Sequence, residues 1–231
     1  MRLLLVASDA MEFRGILAHS ESPRRTSVGA NWTRTAKVNG NDVLLVANGV
    51  GRRRAAAAVD AASTVFPADH VVSTGFCGAL DPSLRLSDLV VAGCVASGAR
   101  RFAAAPVTGG LRATTGTVCS IDRVATTAVE KQALYSQGAI AVEMEAAGVA
   151  ERAGSLGLPF SCVKVVTDLA GEDMANDFNK ALRSDGHFAT MHIFRDSLRH
   201  PGTRIPELIR LQRRCARAAR TLGDFFADCR F

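Results

Sequence analysis

Aromatic residues are scarce, at 6% of the 231-residue chain, with a single Trp32 and a single Tyr135. That leaves no platform on which successive bases of a single-stranded nucleic acid could stack. No CxxC pair occurs among Cys77, Cys94, Cys119, Cys162, Cys215 and Cys229, so neither a zinc knuckle nor a disulfide framework is indicated. Reduced thiols are expected. His187 and His192 lie five residues apart, off one helical face, and no metal site is expected from them. Uninterrupted apolar runs of about eighteen residues, the length of a membrane span, are missing as well. The first run, Leu3–Ala7, is broken by Asp9 and Glu12 and is too short for a signal-peptide core, so a cytoplasmic chain is expected. Lysine is rare, with Lys37, Lys131, Lys164 and Lys180 set against twenty-four arginines.

What is present describes a folded chain. A hydrophobic fraction of 48% with 22% charged residues excludes general disorder and supports a sizeable core, organised as a single domain over residues 1–231. Apolar runs at Leu3–Ala7, Val43–Ala47, Val71–Thr74, Leu89–Ala92, Ile140–Val142 and Cys162–Val166 have the character of strands buried on both faces. Alanine-rich helical segments, Arg53–Val65 and Glu145–Ser155, fall between them. The chain is therefore read as α/β, a central twisted sheet, mostly parallel or mixed, flanked by helices. Asn39-Gly40-Asn41 marks a hairpin turn.

A last helix is expected from Pro206 to about residue 226, with Leu208, Leu211, Cys215, Ala218, Leu222 and Phe225 on one face. Arg210, Arg213, Arg214, Arg217 and Arg220 lie on the other, within a net charge of +6. Two uses fit this pattern: a helix packed on the body with its arginines in water, or peripheral contact with an anionic lipid surface. Basic charge without a reading motif does not indicate a nucleic-acid partner.

Open α/β sheets place ligands at the carboxyl ends of their strands, which directs attention to the acids there. Glu12 follows the first strand, Glu143 and Glu145 follow Ile140–Val142, and Asp168 ends the run from Cys162. Taken singly, Glu12 and Glu145 fit first-turn helix acids and Asp168 an N-cap. Three carboxylates gathered at one edge would repel one another, and their convergence points to hydroxyl binding or proton transfer. Glycine-rich loops, Asn48–Gly51 and Thr74–Gly78, are expected at the same edge, allowing close ligand approach.

The strings Asn48-Gly49-Val50-Gly51, Ser73 to Leu80, Ala141-Val142-Glu143-Met144-Glu145-Ala146 and Val165-Val166-Thr167-Asp168 stand in the order of the nucleoside phosphorylase and nucleosidase superfamily. The chain resembles that family from residue 1 to about 195. The resemblance implies a phosphorylase/hydrolase-like fold, no cofactor, a purine nucleoside as small-molecule partner and a homodimer. It implies that Glu145 binds the ribose hydroxyls, that Met144 packs on the sugar beside Glu143, and that Asp168 serves purine N7. Glu12 aligns with the glutamate that activates water in the family's hydrolases, and Ser73 stands where phosphorylases carry a phosphate-binding arginine. Cleavage of the N-glycosidic bond by water, releasing adenine from a 5′-modified adenosine, is therefore expected.

Two alternatives remain open at this point. One is phosphorolysis to ribose 1-phosphate, with Arg14, Arg52, Arg53 or Arg54 holding phosphate. The other is a nucleoside-binding or membrane-associated protein with decayed catalysis. Phe76, where many members have serine, fills nucleophile space or covers the sugar, with Cys77 and Gly78 beside it. Val124 stands in the base-binding segment 120–124, where an aromatic is usual, and offers less stacking area. Leu182–Gly186, Ser197–Pro201 and Ile205–Leu211 resemble the hopanoid-associated branch, which implies a large lipid on the 5′ end.

Overall fold

The computed structural model describes residues 1–176, 178–181, 186 and 201–231. The motifs at 182–185 and 197–200, together with His187 and His192, lie outside the described residues.

Strand β1 (Arg2–Ala7) lies between β4 (Asn41–Ala47) and β5 (His70–Ala79), parallel to both. Its alternate residues explain the continuous apolar run. Leu4 and Val6 join a core under α2 (Arg52–Ser63) and α4 (Ala146–Ser155), while Leu3, Leu5 and Ala7 join the opposite core under a long helix, Pro201–Phe226. A strand covered by helices on both faces needs apolar side chains in both directions. Strand β3 (Trp32–Val38) forms the expected hairpin with β4, and the exposed β2 (Glu21–Arg25) edges it.

On the far side of β5 the sheet closes on itself. Strand β10 (Phe160–Asp168) runs parallel to β5 and antiparallel to β6 (Leu89–Ser97); β6 is parallel to β8 (Ala113–Ser120), and β8 to β9 (Ala139–Glu143). The end of β5 then pairs with β9 through Gly78 and Ala79, completing the ring, and β7 (Arg100–Ala103) flanks β6. The ends of β5, β9 and β10 thus meet at one rim. The mixed α/β architecture is as expected, but Thr74–Gly78 is not a loop. These residues belong to β5 because β10 pairs alongside them as far as Gly78. Strand β8 carries no continuous apolar run, with Thr114 and Thr115 exposed, which hides it from pattern reading.

The long helix begins at Pro201 rather than Pro206, which lies inside it. A proline at that depth removes the helical hydrogen bond that a residue there would make to the Gly202 carbonyl. Cys215, Ala218, Leu222 and Phe225 pack onto the body, while Arg210, Arg213, Arg217 and Arg220 are exposed. The later part of the apolar stripe is thus taken up by the core, while Leu208 and Leu211 nearer the start of the helix are only partly buried.

The helix reaches the body through a close crossing with α1 (Arg14–Ala18). A Cβ on Gly15 would stand 1.8 Å from the Ala219 carbonyl oxygen, and one on Gly223 would stand 2.3 Å from the Gly15 backbone. Neither neighbour is a flexible side chain, so the helices would have to separate. Gly223→Ala is expected to cost about 1–3 kcal/mol by overpacking, read as a lowered urea midpoint with an unchanged slope.

Candidate active site

Four strands deliver the site residues to one rim, and their local chemistry explains how each is held. After β1 the chain makes a short 3₁₀ turn, Ala10–Phe13, capped by Asp9, whose side chain accepts from the Met11 N–H at 2.8 Å. Glu12 completes the capping box: its Oε2 accepts from the Ser8 N–H (2.8 Å), the Ser8 hydroxyl (2.8 Å) and the Asp9 N–H (2.9 Å). Its Oε1 accepts from the Phe76 N–H at 2.7 Å, tying the turn to β5. The capping reading and the site reading of Glu12 are therefore both satisfied by one side chain.

Two glycines of β5 make room for acids. Gly75 has φ +120°, and a Cβ there would lie 2.2 Å from Glu12 Oε1. A Cβ on Gly78 would lie 2.8 Å from Asp168 Oδ2. Glycine inside a strand marks close approach of this kind. Three residues of strand separate the two positions, about 10 Å.

The Glu143-Met144-Glu145 string divides its labour. Glu143 ends β9 and starts α4: its carboxylate accepts from the Glu145 N–H at 2.9 Å and the Ala146 N–H at 2.8 Å, and it forms a buried salt bridge with Lys164 at 2.9 Å. With these partners the Glu143 carboxylate organises the rim. Oε2 takes most of these contacts, Oε1 has only the Ala146 N–H at 3.1 Å, and Glu143 also lines the site cavity. Glu145 is freer. Oε1 accepts from the Gly51 N–H at 2.8 Å, and Oε2 has only the long contact from the Met144 N–H at 3.3 Å.

These residues surround one cavity of about 400 Å³, lined by Glu12, Phe76, Cys77, Gly78, Val124, Glu143, Met144, Glu145 and Asp168. These nine are the residues read from the sequence as catalytic or substrate-binding. Met11, Val50, Met174, Phe178, Leu211 and Cys215 extend the lining with apolar surface. Val124 is fixed through its backbone, its N–H donating to Asn179 Oδ1 at 2.8 Å and its carbonyl accepting from Asn179 Nδ2 at 3.0 Å. Among the described lining residues the basic side chain is Arg123, which pairs with Glu130. Ser73 is fully buried in β5 and does not line the cavity; Arg52 is paired with Glu151.

The electrostatics follow from burial. Burial pushes the Glu12 carboxyl up despite the opposing charge of Lys164 and the hydrogen bonds it accepts. Burial, with Glu143 nearby, pushes Glu145 up to about 8. Burial acts to lower the Lys164 ammonium, but Glu143, then Glu145 and Glu12, outweigh it and the net shift is upward. The Cys77 thiol is raised well above its ordinary value by burial, so it packs rather than reacts.

Sequence reading did not single out Lys164 and Lys131, two of the four lysines. The available signal was position: Lys164 interrupts the apolar run Cys162–Val166, and a charge inside a buried strand needs a partner. Lys131 is fully buried at α3 (Ala128–Tyr135) and donates to Asp168 Oδ2 at 2.6 Å.

Comparison with known proteins finds the same fold in solved structures and relatives among curated sequences. A curated 5′-methylthioadenosine/S-adenosylhomocysteine nucleosidase from Pseudoalteromonas translucida is 27% identical over 182 residues, covering 65% of this chain and 77% of its own. One of the same description from Geobacillus thermodenitrificans is 27% identical over 210 residues, covering 76% and 88%. Among solved structures, S-adenosylhomocysteine nucleosidase from Streptococcus pyogenes superposes with a TM-score of 0.73 at 18% identity, covering 98% of this chain and 96% of that one. Futalosine hydrolase from Helicobacter pylori superposes at 0.62 with 16% identity, covering 72% and 89%. The family model described as the phosphorylase superfamily matches residues 2–101 and 95–191, and the chain belongs to that superfamily.

Proposed function

We propose that this protein is a nucleosidase that cleaves the N-glycosidic bond of a 5′-modified adenosine with water, releasing adenine. The observation that carries the reading is the convergence of Glu12, Glu145 and Asp168 on one cavity. Glu12 takes a proton from the attacking water, Glu145 accepts hydrogen bonds from the ribose 2′ and 3′ hydroxyls, and Asp168 delivers a proton to N7 as the base departs. The C1′–N9 electron pair moves to the purine, the water oxygen bonds to C1′, and hydrogen bonds to Glu145 strengthen as the sugar gains oxocarbenium character.

Water is favoured over phosphate by the charges at the attack side. Glu12 and Glu145 are both acidic, and a phosphate dianion beside them in a buried site is costly. Among the described lining residues the cation, Arg123, is already paired with Glu130. Decayed catalysis is not favoured, because all three acids and their hydrogen bonds are intact.

The finer substrate reading is an apolar 5′ substituent, as resemblance to the hopanoid-associated branch implies. Met11, Val50, Phe76, Leu211 and Cys215 support it by lining the cavity with carbon and sulfur. A homodimer is part of the same reading, checked by sedimentation. The test is adenine release from adenosine, methylthioadenosine, adenosylhomocysteine and a 5′-alkyl adenosine side by side. Release fastest from the 5′-alkyl compound is expected, and a preference for adenosylhomocysteine overturns the apolar assignment.

A further inference from the structure

The buried ammonium of Lys131 lies against Asp168 at the end of β10. Its three protons have three acceptors: Asp168 Oδ2 at 2.6 Å, the Leu169 carbonyl at 2.8 Å and the Glu172 carbonyl at 3.3 Å. The lysine is 0% exposed, and it is the buried residue of α3, whose other positions face outward or partly so. A buried cation costs much unless it is paired, and here all of its donors are directed at the end of β10 and the turn after it.

Lys131 also joins the two walls that would hold a base. Residues 124–126 lead into α3 through the Thr127 cap, and Val124 and Ala125 line the cavity. The turn after β10 is laced back onto this segment by the Met174 N–H to the Thr126 carbonyl at 2.8 Å and the Ala128 N–H to Asp173 Oδ1 at 2.6 Å. The other Asp168 oxygen, Oδ1, has the Thr167 hydroxyl at 3.3 Å. The carboxyl is thus anchored through Oδ2, while Asp168 lines the cavity.

We propose that Lys131 is a positioning residue for the leaving-group step, orienting Asp168 toward the departing purine and stabilising the carboxylate left behind. The inference rests on the nucleosidase reading. As the C1′–N9 bond breaks, its electron pair enters the purine, a proton that Asp168 Oδ1 has taken from solvent moves to N7, and the carboxylate returns to the ion pair it makes with the Lys131 ammonium at rest. A charge partner already in place at that moment lowers the barrier, because no solvent has to reorganise around the new anion.

The test compares Lys131→Met, Asp168→Asn and the double variant on two substrates. One is the adenosine that the wild type cleaves fastest, and the other is the p-nitrophenyl glycoside of the same ribose, whose leaving group departs without protonation. Expected for Lys131→Met is a fall in kcat of about 10²-fold on the adenosine, little change in KM, and near wild-type turnover of the nitrophenyl glycoside. The double variant is expected to be no slower on the adenosine than Asp168→Asn alone. A structural role predicts equal losses on both substrates, and that result, or unchanged adenosine cleavage by Lys131→Met, overturns the proposal. If Asp168→Asn itself cleaves the adenosine normally, the fault lies with the nucleosidase assignment of Asp168 rather than with Lys131.

Discussion

Glu12→Gln is expected to lower kcat/KM by about 10²–10⁴-fold, the usual range for removal of a general base. The amide keeps nearly the same volume but cannot accept the proton of water. Its orientation is also dictated. Oε2 of Glu12 has three donors around it, so the amide oxygen must face Ser8 and Asp9. That turns the NH₂ toward the Phe76 N–H, which now donates to Oε1 at 2.7 Å. One buried donor loses its acceptor, at a cost of about 1–3 kcal/mol. Thermal unfolding therefore reports a modest loss, far below what the kinetics report. In the wild type the raised Glu12 carboxyl sets a second expectation. A base is lost when it is protonated, so the acid limb of kcat/KM falls off above the usual glutamate range near 4.5 rather than within it. A limb at or below 4.5 would contradict Glu12 as the base.

Glu145→Gln is expected to reduce kcat/KM by about 10²-fold and to make the ligand-free protein more stable above neutral pH. The kinetic loss comes from the two hydrogen bonds that the ribose diol donates to Glu145, together worth about 1–3 kcal/mol. The stability gain follows from linkage. The folded carboxyl is pushed up to about 8 by burial and Glu143, against a model value of 4.5. Between those values the folded state binds more protons than the unfolded one, so this group makes stability fall as pH rises toward 8. The amide has no such ionisation and still accepts from the Gly51 N–H. Tm of the variant should exceed that of the wild type at pH 8–9, and the difference should shrink as pH falls toward 4.5. A variant less stable than the wild type at pH 8–9 would show that the burial of Glu145 is compensated in the empty site.

The strands at Leu3–Ala7 and Cys162–Val166 were legible because helices on both faces demand apolar residues in both directions, and that demand writes continuous runs. Strand β8 was not legible, since its exposed threonines carry no such run. The acids of the site were legible from their places after strands. What holds them was less so: nothing local to Gly75 indicates that its missing Cβ is space for Glu12, which lies 63 residues away. Lys131 and Lys164 likewise gain meaning only from partners across the fold, Asp168 and Glu143. The Gly15–Gly223 crossing is a tertiary fact with no periodic signature. The proline at 206 misled because a helix start and a second-turn position look alike in sequence.

The decisive measurement is the identity of the sugar product when the preferred adenosine is cleaved in saturating inorganic phosphate. Three carboxylates around an uncharged nucleophile give the free 5′-modified ribose, at a rate that does not change when phosphate is withdrawn. Formation of the ribose 1-phosphate, or a rate that disappears without phosphate, would contradict water as the attacking group and with it the assignment of Glu12.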